Sequence, residues 1–517
     1  MTRPSSKSLP ALPTAAIHAS TSSDAVPIDH TGTTRRSCVT NNCIRTTVTL
    51  LVFAAYVAWT WPWHLEHWAD ATRGRLALDT ETARHRTPPL GVPKALQTSW
   101  AQYSPWHPLD EYSAPPAGCE INQVHILQRH GARYPNSDDG ELYSRAVEHI
   151  SSAEKFSDKR LKFLEDYEYE LGADDLVPFG AAQSFESGEI AFKRYANLVS
   201  PTEIPYVRAA GAPRVISTAT NWTVGFAAAS HQRYQPYLNT IISEEYNNTL
   251  NQDCPNAEDG SREIGIWLSI FGPPIAARLN KAAPGAKLNE THVFHLLAMC
   301  PFESVAKETM SPFCAMFKEE DFHAFEYYGD LEKYYKTGHG NPLGAIQGVG
   351  YVNELLARLT DEPVQDHTTH NSSLEFPLGK KIYADFTHEN LMVAVYAALG
   401  LFNVSEPLDP RNMPEDAFSA EDASRWNAPF AHMKEREART WVASRMVPFS
   451  SRMVTERMTC VRDGKEDKYV RILVNDEVQP LEFCGAGEDR MCKLDDFVRS
   501  QGYARRSGDG DFEKCYN

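Results

Sequence analysis

One seven-residue stretch, Arg129-His130-Gly131-Ala132-Arg133-Tyr134-Pro135, limits what this chain can be more than any other part of it. It follows Val124-His125-Ile126-Leu127, a short apolar run of the kind that forms a buried strand, and precedes a helical pattern over 141–167. The motif therefore sits on a strand-to-helix turn, where an open α/β sheet places its ligand. Two arginines flank a histidine. Guanidinium forks match phosphate oxygens in pairs, and a neutral imidazole is a good nucleophile. Gly131 lets the backbone approach a ligand. Single His and Arg residues in loops are mostly solvated or structural, but Arg-His-Gly-x-Arg is a far more specific pattern. It predicts phosphoryl transfer through a phosphohistidine.

Two further strand ends carry polar groups. The run 204–208 reads as a strand with Arg214 soon after it, and 381–386 reads as another, followed by His388-Glu389 and a helix to about 401. Helical patterns cover 181–199, 221–234 and most of 260–330, the last interrupted by Gly272-Pro273-Pro274. A hairpin is expected at 469–474 and 478–481 around Asn475-Asp476. Strands alternating with helices predict an α/β protein with a mixed sheet and a helical middle inserted into it. His-Glu can open a zinc-protease helix, but that motif needs a second His where this chain has Met392. A carboxyl group beside a phosphate-binding histidine is instead a natural general acid for a leaving alkoxide.

The chain carries 51 Lys+Arg against 68 Asp+Glu, a formal charge of −17, with no long basic run, which argues against a nucleic-acid partner. Eight of its ten cysteines lie beyond residue 100, without zinc-site spacing, and suit disulfides in an oxidising compartment. Five glycosylation sequons, at Asn221, Asn247, Asn289, Asn371 and Asn403, fall in the same part and point to the secretory pathway. Residues 1–45, rich in Ser, Thr, Pro and Ala, read as a disordered, cytoplasmic tail containing Cys38 and Cys43. The 18 uncharged positions 46–63 are long enough to span a bilayer, with Trp59, Trp61, Trp63 and Trp68 at the far end and Arg35, Arg36 and Arg45 before it. They read as an uncleaved signal-anchor. A cleaved signal peptide is the competing reading, its one Ala-x-Ala site being Ala69-Asp70-Ala71. Either way the catalytic part ends lumenal or extracellular. Residues 64–97 read as a stalk and 98–517 as the catalytic region.

The stretch Gln128–Pro135 resembles the signature of the histidine acid phosphatases, especially the fungal phytases of the 3-phytase type. So do Tyr169-Glu170-Leu171-Gly172-Ala173-Asp174-Asp175-Leu176, Gly338-His339-Gly340-Asn341-Pro342-Leu343-Gly344, Tyr383-Ala384-Asp385-Phe386-Thr387-His388 and Val470-Arg471-Ile472-Leu473-Val474-Asn475-Asp476. The resemblance implies a phosphoglycerate-mutase-like mixed sheet flanked by helices, an additional mostly α-helical domain, and an active site between them. It also implies the roles: His130 as nucleophile, Arg129, Arg133, Arg214 and His388 as phosphate ligands, and Glu389 as proton donor. The disulfides it implies are Cys119–Cys460, Cys254–Cys515, Cys300–Cys314 and Cys484–Cys492. The chain departs from the family's phytases at Glu389, where Asp is usual, in lacking a further N-terminal cysteine pair, and in its anchor and stalk.

This assignment implies hydrolysis of phosphomonoesters, foremost phytate, in acid, where a free Glu titrates at about 4.3, with no metal or other cofactor. Lys155, Lys159, Arg160 and Lys162, and Lys333 and Lys336, are candidates to line a pocket for a polyphosphorylated inositol; solvated helix faces are the other reading. A broad-specificity acid phosphatase is the enzymatic rival. An inert, membrane-tethered phosphosugar-binding glycoprotein is the rival from another class, and it would tolerate losses at His130 or the arginines that this chain does not show.

Overall fold

Strand Cys119–Arg129 (β1) is the centre of a mixed eight-stranded sheet. Its other main strands are β2 (Tyr206–Ala210), β3 (Leu238–Ile242), β4 (Ile382–Thr387), β5 (Arg452–Arg462) and β6 (Lys465–Val474), ordered β3-β2-β4-β1-β5-β6. The first four run parallel; β5 and β6 are antiparallel to their neighbours, and two short strands, Glu477–Val478 and Cys492–Lys493, border β6. The computed structural model describes residues 86–245, 248–414, 441–462 and 464–517. The N-terminal tail, the expected span at 46–63, the stalk up to residue 85 and the sequon at Asn247 lie outside the described residues. Among the described residues, no helix is long and apolar enough to cross a membrane.

The long helices are α1 (Ser137–Ser151), α2 (Pro178–Tyr195), α3 (Pro213–Ala229), α4 (Ser261–Ala282), α5 (Glu290–Lys307), α6 (Glu319–Lys336), α7 (Ile346–Thr360) and α8 (Glu389–Leu399). Helices cover both faces of the sheet, which is why β4 is buried at every position rather than at alternate ones. Side chains still alternate. Phe386 meets Trp222 of α3 at 5.8 Å between ring centroids, while Asp385 points the other way to Arg358 of α7. Asp385, Arg208, Arg358 and Glu354 form a fully buried ion-pair network that fastens α7 to β2 and β4.

Helices α4, α5 and α6 pack on one another: Trp267 donates to the Ala324 carbonyl at 2.8 Å, and Gly272 lies against Glu290 so closely that a Cβ would sit 2.4 Å from Glu290 Cβ. Pro273-Pro274 does not break α4, which runs through both prolines. The expected helix over 141–167 ends at Ser151, and a 3₁₀ turn, Lys159–Glu165, follows. The described end of the expected stalk is packed on the fold: Leu90 and Val92 are buried, and a short helix, Lys94–Gln97, precedes Trp100, which is fully buried. The expected hairpin around Asn475-Asp476 forms but is short, with Leu473 and Val474 paired to Glu477–Val478, while β6 pairs along its length with β5. Four disulfides form with the pairing the resemblance implied, and Cys119–Cys460 bridges directly paired residues of β1 and β5.

Candidate active site

Register decides what meets at the carboxyl ends of the parallel strands. Arg129 is level with Thr387, so His130 and His388 leave β1 and β4 side by side, and the His130 amide donates to the Thr387 carbonyl at 3.0 Å. Their rings meet edge to face, 5.5 Å between centroids. The loop after β1 is held from behind. Ala132 and Tyr134 pair with Val177 and Asp175 at 3.0 Å each, which gives the stretch before α2 a structural task. Thr218 Oγ1 accepts from the Gly131 amide and Gln183 Oε1 from the Ala132 amide, both at 3.0 Å. Gly131 serves packing rather than a ligand: a Cβ there would lie 2.3 Å from the Gly180 carbonyl oxygen of α2.

His130 is almost fully buried. Its Nδ1 lies 2.9 Å from the Gly131 carbonyl oxygen, which can only accept, so the neutral ring carries its proton on Nδ1 and a lone pair on Nε2. Burial, with the Arg129 charge next, holds the imidazole well below its ordinary value, so Nε2 stays unprotonated in mild acid. Arg129 is fully buried; Nη1 donates to the carbonyls of Gln102 and Val447, and the guanidinium stacks 4.7 Å from the Phe449 ring centre. Burial lowers it to about 10, leaving it cationic.

Glu389 opens α8 in the turn after β4. Its Oε2 lies 3.0 Å from Arg129 Nε and 3.8 Å from His130 Nε2, and its Oε1 lies 3.7 Å from Lys333 Nζ. Burial alone would raise this carboxyl, but Arg129, then Lys333 and His130, outweigh it and hold Glu389 well below the usual range. The free-acid value of about 4.3 therefore does not describe Glu389 in the unliganded site, where it is an anion.

Arg133 donates through Nη1 to the Tyr134 carbonyl at 2.7 Å and lies over the Phe302 ring. Arg214, in the first turn of α3, is 3.7 Å from Asp174, and burial together with the Arg133 charge lowers its pKa. Each of the three arginines keeps a buried donor, Arg129 Nη2, Arg133 Nε and Arg214 Nε, that has no hydrogen-bond partner among the described residues. Buried orphan donors cost about 1–3 kcal/mol each. Three of them on arginines charge-coupled around His130 describe an anion site.

Of the six cations considered for an outer pocket, only Lys333 is part of this cluster. It is buried and donates to Asn390 Oδ1 at 2.9 Å and Glu332 Oε1 at 3.1 Å. Lys336 is more exposed and faces Glu332 at 3.9 Å. Lys155, Lys159 and Lys162 are exposed, and Arg160 is engaged by Asp158. The Gly338–Gly344 stretch closes α6: Asn341 Nδ2 donates to the carbonyls of Glu258, Tyr335 and Lys336. Sequence reasoning missed Glu244, whose carboxylate meets His388, and the 441–449 segment that carries Val447 and Phe449. Neither has a local motif. Among the described residues, no group of three or more His, Cys, Asp or Glu side chains is placed to hold a metal ion.

Residues 120–475 match the model of the histidine phosphatase superfamily, branch 2. The chain is 40% identical over 435 residues to Phytase A of Arthroderma benhamiae, covering 80% of this chain and 91% of that protein. It is 38% identical over 441 residues to Phytase A of Emericella nidulans (81% and 90%) and 37% identical over 474 residues to that of Aspergillus fumigatus (87% and 96%). Among solved structures, a phytase from D. castellii shares the fold, with a TM-score of 0.64 over 82% of this chain and 87% of that one, at 22% identity. With a catalytic loop, sheet and sequence that all agree, the chain belongs to branch 2 of the histidine phosphatase superfamily.

Proposed function

We propose that the protein is a phytase, releasing phosphate from inositol polyphosphates through a phosphohistidine on His130. The observation that carries the reading is the set of unpaired buried donors on Arg129, Arg133 and Arg214 around an unprotonated His130 Nε2. The relatives named Phytase A, matched over nine-tenths of their length, favour phytate as the ester. A phosphomonoester enters with about two negative charges. The guanidinium groups and His388 hold its oxygens and offset charge on them in the transition state. His130 Nε2 attacks phosphorus, the P–O bond to the ring breaks, and Glu389 gives its proton to the leaving oxygen. Water then attacks phosphorus, Glu389 takes a proton back, the P–N bond breaks, and phosphate leaves.

Glu389 can give a proton only if something first offsets Arg129 and Lys333. The incoming dianion does so, raising the carboxyl's pKa as it binds. Acidic conditions favour that protonation, which supports an acid optimum. A broad-specificity acid phosphatase remains the second reading, favoured by the engagement of Arg160 with Asp158 and of Lys333 with Glu332 and Asn390. Phosphate release from phytate, compared with that from p-nitrophenyl phosphate and glycerol 2-phosphate, decides between them. A kcat/KM on phytate no higher than on the simple esters refutes the phytase reading.

The uncharged run at 46–63 and the sequons beyond it support a single-pass, N-inside protein with its catalytic part outside or lumenal. Asn289, Asn371 and Asn403 are exposed, whereas Asn221 lies within α3 and donates its amide to the Ser217 carbonyl. Carbonate-resistant membrane association and a glycosidase-sensitive mass are expected. A mature N-terminus near residue 72 would establish a cleaved signal instead.

A further inference from the structure

The four parallel strands deliver four groups to one edge of the sheet. From β1 comes His130, from β4 His388, and from β2, through the start of α3, Arg214; the fourth strand, β3, ends at Ile242 and delivers Glu244. Glu244 Oε1 accepts from the Ala212 amide at 2.9 Å, which seats the carboxylate at the N-terminal end of α3, where the exposed amides and the helix dipole favour an anion. The same oxygen lies 2.9 Å from His388 Nε2. A carboxylate oxygen only accepts, so this contact places a proton on Nε2 and fixes the ring's rotation about Cβ–Cγ. It also leaves Nδ1 as the ring nitrogen that can donate to a phosphoryl oxygen. Burial opposes ionisation of Glu244, yet its bond to His388 and the His388 charge bring the carboxyl below the ordinary range.

We propose that Glu244 is the positioning residue of the phosphate site, holding the His388 ring oriented toward the phosphoryl group that His130 receives. This rests on the phosphohydrolase reading above. A plain helix-capping role would use the Ala212 contact alone. The bond to His388 predicts more: removing the carboxylate impairs phosphoryl binding in general, whatever the leaving group, and only while His388 is present.

The test uses the full-length protein as wild type, Glu244→Ala, Glu244→Gln, His388→Gln and the Glu244→Ala/His388→Gln double variant. Each is assayed on phytate and on p-nitrophenyl phosphate, with inorganic phosphate as competitive inhibitor and thermal midpoint as the control for folding. Losing a hydrogen bond to a charged group corresponds to roughly a ten- to hundredfold effect. Glu244→Ala is expected to lower kcat/KM by about that factor, equally on both esters, and to weaken phosphate inhibition in parallel. Glu244→Gln, which keeps an acceptor oxygen in the same place, recovers part of the loss. In the His388→Gln background Glu244→Ala adds no more than about twofold, because its route is already cut. Unchanged phosphate inhibition in Glu244→Ala, full additivity in the double variant, or losses that track the thermal midpoint each overturn the proposal. A wild-type protein that hydrolyses neither ester overturns the phosphohydrolase reading itself, and this inference with it.

Discussion

Replacing Glu389 with Gln separates two effects that the proposed mechanism gives to one carboxylate. Glu389 Oε2 lies 3.8 Å from His130 Nε2, the atom proposed to bond phosphorus, so its charge faces any phosphate held there. Two unit charges about 4 Å apart repel by about 4 kcal/mol at an effective dielectric of 20. Arg129 at 3.0 Å and Lys333 at 3.7 Å cancel much of this. A net effect of about 1.4 kcal/mol, or tenfold in affinity, is a reasonable remainder. Glu389→Gln should therefore bind inorganic phosphate about tenfold more tightly while losing roughly 10²–10⁴ in rate on phytate. The loss on p-nitrophenyl phosphate should be much smaller, because nitrophenolate leaves without a proton. The pH dependence follows from linkage. Glu389 is held well below 4.5 in the free site and is raised by a bound dianion. Between those two values the complex holds one more proton than the free protein, so phosphate affinity falls as pH rises through that window. In Glu389→Gln this fall should vanish. Equal rate losses on both esters, with phosphate inhibition unchanged or weaker, would refute the reasoning and send the proton donor's role elsewhere.

Three further outcomes are expected. Brief turnover at acid pH should leave an acid-labile phosphate on His130, with His130→Ala inactive and EDTA without effect; label on another residue refutes the nucleophile. Asp385→Asn leaves the buried Arg208 and Arg358 without the carboxylate they share, so stability should fall by roughly 3–5 kcal/mol, seen as a lower thermal midpoint. A near-native midpoint would mean that Glu354 suffices. Gly180→Ala places a Cβ 2.0 Å from the Ala132 carbonyl oxygen, and α2 can accommodate it only by pushing the catalytic loop away. With misplacement near 1 Å worth on the order of 10²-fold, kcat should fall while circular dichroism is retained; an unimpaired kcat would show that the loop yields freely.

The parts of the candidate site legible in the sequence are those whose residues lie next to one another in the chain. Arg129, His130 and Arg133 share one turn, and His388-Glu389 shares another, each after an apolar run that a two-sided sheet buries. What was illegible depends on partners far along the chain. Strand β5 was missed because Glu456 and Arg457 in its middle look solvent-facing. Glu456 is in fact buried against Arg471, Tyr195 and Tyr112, and Arg457 against Asp361 and Asn122. Charge in a strand marked a paired interior rather than an exposed edge. Glu244 lies 144 residues from His388 and follows a short strand, β3, whose edge position leaves Ile241 half exposed. The sequence predicts an interruption at Gly272-Pro273-Pro274, yet Gly272 packs directly on the start of α5 within the unbroken α4, and that tertiary contact outweighs the local preference to break.

An acidic chain holds this anion site by answering its cations one at a time. Arg129 and Lys333 face Glu389, Lys333 also faces Glu332, Arg214 faces Asp174, and His388 faces Glu244. Without those carboxylates, three arginines, a lysine and a histidine would repel one another across a largely buried site; with them, the empty site is close to neutral. A phosphate dianion enters as a competitor for the same cations, and every carboxylate it displaces from its partner becomes easier to protonate. The response should be largest at the carboxylate nearest the reacting atoms, which is Glu389, 3.8 Å from His130 Nε2. On the proposed mechanism binding and acid catalysis are one event: the charge that seats the substrate is the charge that loads the proton. The longer arm of Glu, where Asp is usual, suits such an exchange, because it reaches Arg129 and Lys333 at once through its two oxygens.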